Sequence, residues 1–341
     1  MNPNHPLQAE LDAQRRRTAI FGLVACNLFW GWSFPAMQLA QTALTEHLPD
    51  AQRDSLGGAL AVAGAFIGWR FLAAAVLYAL FSIRHQHGFT KADVFGGCST
   101  GLCFTLGLFL QLVGLRFTPP SVSGFLTALV VILVPLAQRF VFRQALPPGI
   151  WPGIGLALSG MAVLSWSGES ALTSRIEPPW PLFGETLTVL GSLAFTGQIL
   201  CLDRFGKAAH PARLSSIMFG VTALAGLLIG LLSAGGGALF QPSGLAEIAA
   251  DRTVQWTFLS VVIFSSGLAF HLMNTHQPRL PASLAGVLYG LEPVFATLFS
   301  LLLQTDDPRP NLFIGGALVF MAILVVTRPA PRVLESSAST G

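Results

Sequence analysis

Between residues 19 and 327 the chain is a series of apolar runs from which charge is almost excluded. The first run, near 19–41, contains no Asp, Glu, Lys or Arg. Over the whole chain 52% of residues are apolar and 10% charged, against roughly 25% charged in soluble domains. About 20 apolar residues suffice to cross a bilayer as a helix, and a helix satisfies its backbone groups internally where no water can reach them. Ten stretches fit: 19–41, 60–82, 94–115, 121–142, 150–167, 182–201, 212–233, 255–274, 282–303 and 311–327. The fifth and tenth are short but free of interior charge. The expected fold is therefore all-α and membrane-embedded, with ten transmembrane helices. The connections 43–59 and 234–254 have room for short surface helices. The polar, proline-rich segment 168–181 reads as a linker between halves.

Most of the 19 lysines and arginines fall on loops of one side. Arg15, Arg16 and Arg17 precede the first stretch, and Arg84, Lys91, Arg139, Arg143, Arg204, Lys207, Arg213 and Arg279 follow on loops of the same side. Arg53, Arg116, Arg175, Arg252 and Arg309 lie opposite. Cytoplasmic loops carry the basic excess, so both termini are expected in the cytoplasm and the chain in the inner membrane. An odd number of helices per half makes the second half enter the membrane upside down, giving two inverted five-helix repeats. The boundaries expected are a tail at 1–18, repeats at 19–167 and 182–327 around the outer linker, and a cytoplasmic tail at 328–341. Trp151, Trp166, Trp180 and Trp256 sit at stretch ends, as an interfacial belt places them. Trp30, Trp32 and Trp69 lie deeper.

The halves echo each other. Residues 121–143 and 282–303 each follow a proline (Pro120, Pro281) and enclose another (Pro135, Pro293). An interior proline frees a carbonyl and permits a bend. The glycine pairs Gly64/Gly68, Gly97/Gly101, Gly226/Gly230 and Gly286/Gly290 allow close helix approach, more naturally within the chain than between copies. The four cysteines all fall in apolar segments and read as small buried hydrophobes.

Motifs for other chemistry are missing. No GxxxxGK[ST] loop and no HExxH occur. GCSTG at 97–101 matches GxSxG but lies within an apolar helix, where a nucleophile elbow has no strand to leave. No basic stripe with interleaved aromatics suggests nucleic acid. An integral-membrane enzyme on lipid-like substrates would need clustered His, Asp or Glu, and a scaffold or sensor would be expected to carry a soluble domain. A secondary transporter, to which the inverted-repeat pattern points, is the reading the residues favour over both.

Several stretches resemble the EamA-type transporters of the drug/metabolite transporter superfamily. WGWSFPAMQLA (Trp30 to Ala40) is similar to their first helix and RFLAAAVLYAL (Arg70 to Leu80) to their second. Gly107 to Pro135 resembles the third and fourth, and Leu280 to Gln304 the ninth. The fourth and ninth helices of the family often close with glycine and glutamate. Here Arg143-Gln144 and Gln304-Thr305-Asp306 stand instead. The resemblance implies two inverted repeats around a central cavity, formed by helices 1, 3, 4, 6, 8 and 9. It also implies a secondary transporter of amino acids, metabolites or drugs, often an exporter, with no cofactor and a small molecule as partner.

Ionisable groups in apolar helices face a bundle interior or a cavity. Arg70 and Glu292, at similar depth and of opposite sign, either pair with each other or hold the ends of a zwitterionic substrate, and Glu292 could also carry a coupling proton. His271 and Asn274, one turn apart, line the pore or satisfy each other at an interface, and form no metal site. Trp30, Ser33, Gln111, Gln198 and Tyr289 complete the substrate-binding candidates. Pro35, Pro135 and Pro293 are the candidate gating bends. Impermeant thiol labelling checks the orientation on a cysteine-free background: Gln86→Cys stays unlabelled from outside and Ser174→Cys reacts. The reverse pattern rejects the orientation, and equal labelling rejects the odd helix number.

Overall fold

The computed structural model describes residues 6–114, 116–117, 123, 126–146, 149–165, 182–302 and 309–327. The linker at 168–181 with Trp180, Trp166, the start of the fourth stretch, Gln304 to Asp306 and the tail from 328 lie outside these. Among the described residues all regular structure is helical. The helices are α1 (Pro6–Glu46), α2 (Leu56–Phe81), α3 (Lys91–Gly114), α4 (Val130–Val141), α5 (Ile150–Ser165), α6 (Phe183–Phe205), α7 (Pro211–Leu232), α8 (Arg252–Arg279), α9 (Ala282–Tyr289 and Glu292–Leu302) and α10 (Pro310–Thr327). Eight of the described helices are long and apolar enough to cross a membrane, and α4 and α5 are shorter apolar helices. The long connections do hold surface helices, at Asp50–Arg53, Gly236–Phe240 and Pro242–Ala250.

Local chemistry sets the boundaries. Ser55 caps α2 by accepting from the Gly58 N–H at 3.0 Å, and Asp251 caps α8 by accepting from Thr253 and Val254. Pro211 opens α7, where its missing N–H costs nothing. The first helix begins at Pro6 rather than near 19. Its 41 residues rise roughly 60 Å at 1.5 Å each, about twice a bilayer's hydrocarbon thickness, so the arginine-bearing turns continue the helix beyond the apolar layer.

Two helices depart from regular winding. In α8 residues Val261–Leu268 are wound as a π-helix, and α4 ends in π turns over Ala137–Val141. The ninth stretch breaks at Gly290 and Leu291, whose N–H groups bond back to Val287 and Leu288 at 3.0 Å, three residues away. The break therefore precedes Glu292-Pro293. Pro293 stands in the first turn of the second segment, where a proline starts a helix rather than bending one. Pro35 lies inside the continuous α1, and Pro135 lies in α4 just before its π turns.

The contacts repeat along the chain. Helix α2 packs on α7, α4 on α9 and α5 on α10. Further, α3 packs on α6 as α1 does on α8, α6 on α4 as α1 does on α9, and α3 on α7 as α8 does on α2. At the α2–α7 crossing the glycine pairs interlock within the chain. A Cβ on Gly226 would lie 2.5 Å from the Gly68 nitrogen, and one on Gly230 2.6 Å from the Ala65 nitrogen. Gly97 and Gly101 face Ile217 and Met218 of α7 in the same way.

The two ends of the bundle are tied by polar knots. At one, buried Asp93 accepts from the N–H groups of Thr90 and His210, each at 2.7 Å, and meets Arg213 Nη1 at 3.4 Å. Arg213 also donates to the carbonyls of His85 and Gly88. Burial, then His85 and Arg213, push the His210 pKa below its ordinary value. At the other end His47 stands 3.7 Å from Asp251, and Arg53 donates to the carbonyls of Leu48 and Glu46.

The glycine contact yields a direct check. Gly230→Ala should destabilise the protein by about 1–3 kcal/mol, the usual cost of overpacking, read as a lower Tm in detergent. Gly220→Ala, where an added Cβ meets nothing within 4 Å, should leave Tm unchanged or slightly higher. Equal Tm values for Gly230→Ala and the unchanged chain would disprove the close crossing.

Candidate functional site

A cavity of about 670 Å3 lies between α1, α2, α3, α4, α6, α8 and α9. Its walls are mostly aromatic and aliphatic, from Trp30, Phe34, Phe104, Leu108, Phe195 and Phe270. Trp30 meets Phe270 edge-on with centroids 5.3 Å apart and lies 5.5 Å from the Tyr289 ring. Phe104 meets Phe270 at 4.8 Å. Among these surfaces stand the polar groups Ser33, Gln111, Thr127, Gln198, Ser265, Arg70 and Glu292.

Arg70 is 3% exposed, and it is held by neutral groups. Its Nε donates to Ser266 Oγ at 2.7 Å, Nη2 to Ser265 Oγ at 2.9 Å and Nη1 to Met37 Sδ at 3.1 Å. The guanidinium carbon lies 5.0 Å from the centre of the Phe71 ring. These bonds orient the cation without neutralising it. A guanidinium has five N–H donors, so two have no acceptor among the described residues. Ser265 and Ser266 lie in the π-wound part of α8, and π turns recur at functional sites because they redirect side chains and carbonyls. The Ser265 carbonyl itself accepts from Trp30 Nε1 at 3.2 Å.

Glu292 opens the second segment of α9. A helix N-terminus favours negative charge, and a broken helix at mid-membrane is tolerated where it lines a cavity. Among the described residues no side chain donates to its carboxylate, and it forms no ion pair with Arg70 within 4.0 Å. The two charges share one cavity but do not meet. Arg70 has taken serines and a methionine where an opposite charge was one expectation.

The cavity gathers Trp30, Ser33, Arg70, Gln111, Gln198, Tyr289 and Glu292 from the sequence candidates. Most of the neutral polar ones are tied to neighbours. Gln111 Nε2 donates to Thr127 Oγ1 at 2.9 Å, Ser33 Oγ to the Trp30 carbonyl at 2.7 Å, and Tyr289 Oη to Gln277 Oε1 at 2.7 Å. His271 and Asn274 do not line it. His271 Nδ1 shares a hydrogen bond with Tyr78 Oη at 2.8 Å, and Asn274 Nδ2 donates to Ser215 Oγ at 2.8 Å, which ties α8 to α2 and α7. The prolines are likewise absent from the lining. Sequence reasoning missed Ser265, Ser266 and the aromatic walls. The tandem serines in an apolar run carried a signal, since a buried arginine needs acceptors. Phe104, Phe195 and Phe270 carried none, because an aromatic facing a cavity looks like one facing a core.

A helical bundle with eight described helices long and apolar enough to cross a membrane, closed around an aromatic-walled cavity, fits a multi-pass membrane protein. The model of the EamA-like transporter family matches residues 182–328, the stretch read from the sequence as its second repeat, and the resemblance carried by the sequence motifs is to the same family. Similar proteins include an uncharacterized transporter of Archaeoglobus fulgidus, 25% identical and aligned over 94% of this chain and 89% of that one. YetK of Bacillus subtilis, also described as an uncharacterized transporter, is 29% identical over 76% of each chain. A crystal structure 21% identical in sequence superposes with a TM-score of 0.64, covering 92% of this chain and 97% of that one, which shows a shared fold.

The serine clamp can be tested apart from transport. Hydrogen bonds to charged groups contribute about 1.5–3 kcal/mol each. Ser265→Ala with Ser266→Ala should therefore lower Tm clearly, and Arg70→Met on that background should restore part of the loss by removing the stranded cation. A double serine variant as stable as the parent would rule out the clamp.

Proposed function

We propose that this chain is a secondary transporter that exports small metabolites such as amino acids across the inner membrane by alternating access. The observation that carries this reading is a guanidinium and a carboxyl group, Arg70 and Glu292, on one cavity without an ion pair between them, set among aromatic walls. A zwitterion fits such a site. Its carboxylate meets the free N–H groups of Arg70, its ammonium meets Glu292, and its apolar part lies on the rings. Guanidinium groups suit carboxylates because the donor fork matches two oxygens.

The repeating contacts support ten helices in two inverted repeats, because shifting every helix by five positions returns most of the main packed pairs. The knots support it too. Asp93 and Asp251 open helices of equal rank in the two halves, and each is met by a histidine, His210 or His47. They lie at opposite ends of the bundle, as an upside-down repeat requires. Rocking of one half against the other would open the cavity to each side in turn. The break at Gly290 and Leu291 gives α9 a joint beside Glu292, with Pro135 beside the π turns of α4 as its counterpart.

Transport is tested by flux into proteoliposomes. Arg70→Gln and Glu292→Gln should each keep the fold and lose roughly tenfold or more in amino-acid transport, since a charged hydrogen bond is worth about 1.5–3 kcal/mol. The double variant should not recover. Normal flux in both single variants would reject Arg70 and Glu292 as the site.

A further inference from the structure

At the end of the bundle where α1 begins, a cleft of about 1020 Å3 opens between the first turns of α1 and the connection from α8 to α9. Asp12, Arg15, Arg16, Arg279, Leu280 and Pro281 line it. Three guanidinium groups thus face one carboxylate, and Asp12 engages only Arg15, at 3.9 Å with both side chains largely exposed. Among the described residues Arg16 and Arg279 form no ion pair. Two cations without an ion pair, from elements far apart in the chain, therefore border one open space, beside which Pro281 is exposed over the buried Leu280. The N-terminus of α9, at Ala282, lies directly beyond Pro281 and adds positive potential at the same place.

The level of the cleft identifies the ligand. Arg15 and Arg16 precede the charge-free run of α1, and Arg279 closes the span of α8. Both mark where apolar helix gives way to the interface, the level of lipid phosphates. A general excess of basic residues on one side requires only that they be on loops. It does not require arginines of α1 and of the α8–α9 connection to converge beside Leu280 and Pro281.

We propose that this cleft binds the anionic headgroup of a membrane phospholipid. The phosphate sits between Arg16 and Arg279, whose donor forks match its oxygens, and the glycerol and first acyl carbons rest on the exposed ring of Pro281. Free phosphate would meet the same cations but would leave that ring uncovered. The site is separate from the transport cavity, and its test reads binding alone.

The full chain, purified in detergent, is titrated with phosphatidylglycerol, phosphatidylcholine or inorganic phosphate. Tm and retained lipid by native mass spectrometry are the readouts. Phosphatidylglycerol should raise Tm and stay bound, whereas phosphatidylcholine should not. Arg16→Gln and Arg279→Gln should each weaken phosphatidylglycerol binding about fivefold, the effect of one basic residue near a membrane surface. Arg204→Gln, exposed and outside the cleft, should bind as the unchanged chain does. If Arg279→Gln fails to fold, Arg16→Gln carries the test alone. Equal binding of the two lipids, full binding by Arg16→Gln, or a shift reproduced by inorganic phosphate would each overturn the proposal.

Discussion

A guanidinium in the middle of an apolar bundle is the constraint to which the surrounding structure answers. A charge at mid-membrane costs at least about 2.5–3.5 kcal/mol on insertion-based scales, so Arg70 must find acceptors or water. Its acceptors come from α8, through Ser265 and Ser266, and from Met37 of α1. The helix carrying it is meanwhile held against α7 by glycines that allow backbone contact. Arg70 thereby couples α1, α2 and α8 without forming an ion pair. The π winding of α8 belongs to the same solution, since it lies where the serines and the Ser265 carbonyl meet Arg70 and Trp30.

Much of the fold was legible because lipid leaves a chain few choices. Exclusion of charge marked the helices, and most observed ends fall within a few residues of those read from the sequence. The glycine pairs were also readable, since a small residue every four positions has little use other than close packing. The start of α1 was not. Its arginine-rich turns are polar, and polarity shows that a segment leaves the lipid without showing whether it stays helical. The break in α9 was hidden because Pro293 drew attention from Gly290, which ends the first segment.

The site was half legible for a related reason. Sequence reveals residues that are costly where they stand, such as Arg70 and Glu292, and it revealed that both lie at similar depth. It does not reveal whether two costly residues touch. His271 and Asn274 show the converse, because their polarity was as visible as that of Gln198. Tyr78 and Ser215 absorb them, and those partners lie far away in sequence. Polarity inside a bundle is therefore shared between function and interhelical bonding, and the side chain's place, on the cavity or at a helix interface, separates the two.

On the proposed repeat, the cavity is where the halves stop matching. Setting Gly64 and Gly68 on Gly226 and Gly230 puts Leu232 at the position of Arg70. Setting Pro135 on Pro293 puts Val134 at the position of Glu292. Both counterparts are apolar. The crossing glycines recur in each half, and an aspartate stands at the start of both α3 and α8, Asp93 in the first turn and Asp251 at the cap. The two charges occur once each. A symmetric site would present the same charge from both halves and would suit a symmetric ligand. One cation on α2 and one anion on α9 instead give the cavity a polarity, which a symmetric backbone alone cannot supply. In the proposed transporter, binding a ligand in a single orientation would thus depend on the few side chains that break the repeat, and alternating access on the many that keep it.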